Sequence, residues 1–134
     1  KQEGVVGPLE SKVLDLLKTY AGPICILSFN PNTLQWFKVH GPEYIRVLNI
    51  EGPFGFDHRL LSLIYDVLKS RPHMINSDVQ SLSPLSVMLL RPLIPLGAYT
   101  IHDSLTFNQY KRSLHHMIFE DFKGEWIDKS PKKV

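Results

Sequence analysis

The sequence predicts a parallel α/β fold, close to half of an eight-stranded barrel, and three observations carry that prediction. Short apolar runs of β-strand length alternate with helical patterns along the chain. Several of these runs are continuously apolar, as in strands covered on both faces. The connections between elements are short, and no stretch of linker composition divides the 134 residues. A five-stranded open flavodoxin-like sheet is the competing architecture.

The chain opens on a helix. Leu9, Val13, Leu16, Leu17 and Tyr20 recur at helical spacing between Pro8, tolerated in a first turn, and Gly22-Pro23, which ends the segment. Ile24-Cys25-Ile26-Leu27 is the first strand, closed by Ser28-Phe29-Asn30. Asn30 then supplies an N-cap and Pro31 a first-turn proline for a helix with Leu34, Phe37 and Val39 on its apolar side, stopped by Gly41-Pro42. Tyr44 to Ile50 is the second strand, and Glu51 to His58 a loop rich in Gly, Pro and Phe. Arg59 to Ser70 is an amphipathic helix with Leu60, Leu61, Ile64, Val67 and Leu68 expected inward, and Pro72 marks its end. His73 to Val79 is a short third strand, Ser83-Pro84 caps and opens a helix through Leu85 to Leu90, and Pro92 and Pro95 break the chain. A strand from Leu96 to Ile101, a helix from about Leu105 to Leu114 and a strand from Met117 to Glu120 complete the pattern. Five strands with four helices between them, preceded by one further helix, approach half a barrel; the units share too little sequence to form a solenoid repeat.

Composition narrows the function classes. With 43% apolar and 21% charged residues the chain builds a globular core. A net charge of +2, with Lys and Arg scattered, gives no electrostatic case for nucleic acid or membrane binding. The one basic cluster, Lys129 to Lys133, is expected to be a solvated tail spanning 125–134, after a domain spanning 1–124. The apolar runs fall well short of the roughly 20 residues that cross a bilayer. The start, Lys1-Gln2-Glu3-Gly4, has neither an apolar leader nor an initiating Met, so residues are expected to have been removed upstream. Cys25 is the single cysteine; between Ile24 and Ile26 it is expected to be buried core, not a nucleophile, in a reducing and hence cytoplasmic setting.

Ligands of parallel α/β folds sit at the carboxyl ends of the strands. The polar residues there are Ser28 and Asn30; Asn49 and Glu51; Asn76, Ser77 and Asp78; Thr100, His102 and Asp103; and Glu120 and Asp121. Such residues often merely cap the next helix. Carboxylates at 51, 78, 103, 120 and 121 are possible ion ligands without diagnostic spacing. Of six histidines only His102 occupies a carboxyl-end position, while His115-His116 precedes the last strand at the opposite rim. There is no Gly-rich phosphate loop, G-x-S-x-G elbow or paired C-x-x-C.

Three segments resemble, in order, the second half of bacterial glycerophosphodiester phosphodiesterases. Leu27-Ser28-Phe29-Asn30-Pro31-Asn32-Thr33-Leu34, followed by Gly41-Pro42-Glu43-Tyr44-Ile45-Arg46-Val47-Leu48, is similar to the family's "SFdpdxL", a helix, then "aPelprglL". Gly97-Ala98-Tyr99-Thr100-Ile101-His102-Asp103 resembles its "WTVN" strand with Tyr for Trp and His for Asn. Met117-Ile118-Phe119-Glu120-Asp121-Phe122 matches "giiTDyP" only at the hydrophobic positions and Asp121. Lys1 fits the lysine ending the family's "EIK" strand.

The resemblance implies the C-terminal half of a TIM-type (β/α) barrel of the phosphatidylinositol-phospholipase-C-like kind. It implies an enzyme of lipid and glycerol metabolism in which a divalent metal, Mg or Ca, and two histidines hydrolyse a glycerophosphodiester to glycerol 3-phosphate and an alcohol. The histidines of "HRG" and "HD" and the carboxylates of "ExD" and "ExK" would all lie upstream of Lys1, leaving these residues catalytically silent alone. By the same resemblance Lys1 contacts phosphate, Ser28 and Phe29 line the substrate pocket, and Tyr99 walls the glycerol. His102 takes the Asn position, where its role departs from the family's, as does that of Glu120 in place of Thr. The implied partners are the N-terminal half of the barrel or a second copy, and a small phosphodiester. A non-catalytic binding or assembly domain derived from the same barrel is the alternative.

Overall fold

The computed structural model describes residues 5–52 and 58–121. In chain order the elements are α1 (Pro8–Leu17), β1 (Cys25–Ser28), α2 (Pro31–His40), β2 (Ile45–Ile50), α3 (His58–Ser70), β3 (Met74–Asp78), a 3-10 turn (Val79–Ser81), α4 (Pro84–Leu90), β4 (Leu96–Ile101), α5 (Ser104–Tyr110) and β5 (His116–Phe119). Helices begin where capping chemistry dictates. Asn30 Oδ1 accepts from the Asn32 amide at 3.0 Å, and Ser83 Oγ from the Ser86 amide at 3.0 Å, each ahead of a proline whose missing N–H needs no partner. At α1 the cap is less obvious: the Glu10 carboxylate accepts from the Gly7 amide at 2.7 Å and from Thr33 Oγ1 at 2.7 Å. That second bond ties α1 to α2 and fixes the roll of α1.

The strands pair in parallel in the order β1-β2-β3-β4-β5, with Leu27 beside Val47, Leu48 beside Ile75, Ile75 beside Leu96 and Gly97 beside His116. A flavodoxin-like sheet carries its first strand inside the order and helices on both faces. A purely sequential order has no such switch, and right-handed crossovers then lay every intervening helix on one face. The sheet is also curled. The rings of Phe29, just beyond β1, and Tyr99 on β4 meet with centroids 5.9 Å apart. Three strand spacings would separate their backbones by about 14 Å in a flat sheet. The five strands form a partial TIM-type barrel.

The main core lies between the sheet and its helices: Ile75, Leu96, Ala98 and Ile101 from the strands meet Val87, Tyr110 and Leu114. A register shift between Ala98 and Ile101 turns Ile101 to this side. The other, concave face carries Leu27, Val47 and Met74 in one row and Asn49, Asn76 and Gly97 in the next. At the amino ends of the strands, His73 and His115 each close a ladder in the same way. His73 N–H donates to the Arg46 carbonyl while its Nδ1 accepts from the Arg46 amide at 3.1 Å; His115 does likewise with Leu96, at 3.2 Å. The Arg46 guanidinium is buried there, donating to the carbonyls of Pro42, Tyr44 and Arg71.

Burial departs from the periodicity in four places. Cys25 lies in β1 as expected but is exposed, because it faces the concave side of an edge strand over which no described element packs. On α1 the covered arc is Glu10, Val13, Leu14 and Leu17, leaving Leu9, Leu16 and Tyr20 outside, a roll set by the Glu10–Thr33 bond. Val39 of α2 is likewise exposed. On α3 the covered arc is Leu60, Leu63, Val67 and Ser70, so Leu61, Ile64 and Leu68 face outward: the helix is apolar over a wider arc than the sheet covers.

Candidate functional site

Most polar residues at the carboxyl ends of the strands cap the next helix or turn. Asn30 caps α2. Asp78 accepts from the Gln80 amide at 3.2 Å and Ser81 Oγ at 3.1 Å. Asp103 accepts from the amides of Leu105 and Thr106 and from Thr106 Oγ1, bonds that hold its carboxyl below the usual range. Ser28 follows Leu27 on the opposite face of β1, and its Oγ accepts from the Asn30 amide at 3.0 Å, inside the turn into α2. Its hydroxyl is therefore committed to that turn.

The feature the structure assembles is aromatic. Phe29 and Tyr99 meet edge to face, at an interplanar angle of 87°. The Tyr99 hydroxyl crosses β3 to donate to the Ile50 carbonyl on β2 at 2.8 Å. Burial first, then the carboxylates of Glu51 and Asp78, push its phenol up to about 12. At neutral pH Tyr99 is thus a protonated donor with its proton already placed, suited to wall a ligand and unsuited to act as a base. Phe29 remains half exposed, so the pair presents a ring face to solvent beside two carboxylates.

His102 and Glu120 lie across the ends of β4 and β5, with Nε2 and Oε2 4.0 Å apart and both side chains exposed. Of the residues assigned to substrate by resemblance, Phe29 and Tyr99 come together, Ser28 turns away from them, His102 pairs with Glu120, and Lys1 lies outside the described residues. Among the described residues no three His, Cys, Asp or Glu side chains converge as a metal site.

Periodicity did not reveal that Asn49 and Asn76 are neighbours on the concave face. Asn76 is fully buried with neither amide atom hydrogen-bonded among the described residues, and Asn49 Oδ1 is in the same condition. The signal that could have found them was an Asn inside each of two consecutive apolar runs. Gly97 completes the row: a Cβ there would collide with the Asn76 carboxamide, so only glycine allows the two strands their present approach.

No family model matches this sequence, and no curated protein matches it either. Solved structures do match in fold. A phosphodiesterase of Oleispira antarctica, in complex with the product sn-glycerol-3-phosphate, superposes with a TM-score of 0.64 at 21% identity over 82% of this chain. A protein of Silicibacter pomeroyi, assigned as a glycerophosphoryl diester phosphodiesterase, gives 0.69 at 14% identity over 83%. The chain spans only 44% and 40% of those two proteins. At such identities the likeness speaks to fold, and it agrees with the strand order: the chain has the fold of about two fifths of the barrel that these two proteins share.

Proposed function

We propose that these residues are the C-terminal, substrate-lining part of a glycerophosphodiester phosphodiesterase-type barrel, with the hydrolytic groups supplied by the rest of the barrel. The observation that carries this is the Phe29–Tyr99 pair at the carboxyl ends of β1 and β4, where parallel barrels bind their ligands, in a chain whose structural relatives are phosphodiesterases. In this proposal Tyr99 walls the glycerol moiety with its ring, held in place by the bond to the Ile50 carbonyl. Phe29 packs against the ligand beside it. Ser28 contributes through the turn it stabilises, and His102 and Lys1 approach the phosphate end. The described residues do not fit a divalent ion on their own, so a metal, if used, draws its ligands from other parts of the barrel, and no step here runs through it. A partner half completes the sheet at the edges β1 and β5.

The test is release of glycerol 3-phosphate from glycerophosphocholine and glycerophosphoethanolamine by the full-length protein, with and without chelator. Metal-dependent release is expected, and none with either substrate would overturn the enzyme proposal. Tyr99→Ala is expected to raise KM about tenfold through loss of the aromatic wall, whereas Tyr99→Phe keeps the ring and stays within about threefold of wild type.

A non-catalytic barrel relative is the second possibility, supported by the departures at Tyr99, His102 and Glu120 and by the exposed His102–Glu120 pair. Such a relative would lack the H-R-G, E-x-D, H-D and E-x-K segments in the remainder of its barrel, which the diesterase needs.

A further inference from the structure

Two consecutive helices of the outer layer carry apolar residues on a side that nothing among the described residues covers. On α3, Leu61, Ile64, Tyr65 and Leu68 follow at helical spacing and are 70%, 46%, 62% and 68% exposed. On α4, Leu85, Met88 and Leu89 are exposed at the same spacing, and Leu93 just beyond is 80% exposed. Single exposed leucines are ordinary on any surface, but an alignment of this extent marks an interaction face. Met88 shares a shallow groove with Tyr110 on the α5 flank. Leu85 and Leu89 therefore lie on the flank away from α5, toward α3.

Charge decides what fits this face. From residue 60 to residue 93 the cations are Lys69, Arg71 and Arg91, and the anions only Asp66 and Asp78. Asp78 is occupied as the cap of the 3-10 turn, and Asp66 is partly buried and already engaged. Lys69 Nζ lies 5.5 Å from the centroid of the exposed Tyr65 ring, its stem along the apolar stripe. A second copy docked symmetrically would bring these cations against one another. A rim of Lys and Arg around Leu and Tyr instead matches the headgroup region of an anionic bilayer, where stems bury and charges meet phosphate. At 13 residues α3 is too short to cross a membrane but long enough to lie in its surface, and no helix among the described residues is long and apolar enough to cross. The chain-wide charge of +2 conceals this local excess.

We propose that the α3–α4 face docks on an anionic phospholipid bilayer, Leu61, Leu68 and Leu93 entering the acyl boundary while Lys69, Arg71 and Arg91 contact lipid phosphates. The proposal is independent of any phosphodiesterase activity. It is tested by flotation of the full-length protein with phosphatidylcholine vesicles, with and without about 30% phosphatidylglycerol. Binding is expected to be at least about tenfold stronger to the anionic vesicles and to be lost at high salt. The double variant Leu61→Ser/Leu68→Ser should lose at least about tenfold in vesicle binding with an unchanged unfolding midpoint, since both side chains are exposed. The triple variant Lys69→Gln/Arg71→Gln/Arg91→Gln should lose the preference for anionic lipid. Absence of wild-type binding to anionic vesicles overturns the proposal, as does equal binding by the leucine variant. A lipid-free dimer that the leucine substitutions abolish assigns the face to a second copy and overturns it too. Should the leucine variant not fold, the charge variant and the lipid dependence of the wild type decide between these outcomes.

Discussion

Replacing Asn76 by leucine is expected to stabilise the protein by about 1–3 kcal/mol. Asn76 sits within β3, fully buried, with both amide atoms unpartnered among the described residues. A buried polar group without a partner costs about 1–3 kcal/mol, and the exchange removes that cost. Burying a leucine side chain in its place contributes about 1.5–3 kcal/mol more. Opposing this, the carboxamide is fitted closely against Gly97, and a branched side chain in that space loses about 1–3 kcal/mol to imperfect packing. The balance favours leucine. Urea unfolding followed by circular dichroism reads the change as a higher midpoint at unchanged slope, and a thermal scan as a Tm higher by about 3–6 °C per kcal/mol in a domain of this size. A destabilisation beyond about 1 kcal/mol would refute the reasoning. It would mean that the carboxamide is paired in the folded protein, with Asn49 in the adjacent register as the first candidate.

Two further predictions rest on the same sheet. Gly97→Ala should destabilise by about 1–3 kcal/mol, because the added Cβ meets the Asn76 carboxamide; in the Asn76→Ala background the penalty should largely vanish, and a denaturation double-mutant cycle checks this. His73 accepts a backbone amide at Nδ1, which only the neutral ring can do, and burial together with the Arg46 charge lowers its pKa. Its contribution is therefore complete above the unperturbed value of 6.5 and is lost as pH falls below that through the folded-state value, where the unfolded chain binds the proton more readily. The stability difference between wild type and His73→Ala should accordingly narrow on acidification from about pH 7 in urea titrations. A gap constant with pH would contradict the assigned tautomer.

Element order was legible because local chemistry and global fold agree along this chain. Asn30-Pro31 and Ser83-Pro84 announce helix starts that the structure realises with side-chain caps, and the apolar runs at residues 24–27 and 45–50 become adjacent strands. Periodicity identifies a helix but not which part of a wide apolar arc is covered. Tertiary contacts decide that: the Glu10–Thr33 bond rolls α1, and α3 leaves Leu61 and Leu68 outside. Cys25 misled for a related reason, since a strand flanked by isoleucines reads as buried whether or not anything packs on its second face. At the site, Asp78 and Asp103 resembled ligand residues and proved to be caps. The meeting of Phe29 with Tyr99 depends on sheet curvature, which strand patterning does not encode.

The sequential strand order has a kinetic corollary. Every strand pairs only with its immediate neighbours in the chain, so each ladder closes over a single intervening helical segment. Low sequence separation between contacting segments favours rapid folding, and no ladder waits on a distant one. Such a chain can nucleate at any strand–helix–strand unit and grow in either direction. Lengthening or shortening it by one unit at an end alters a single seam.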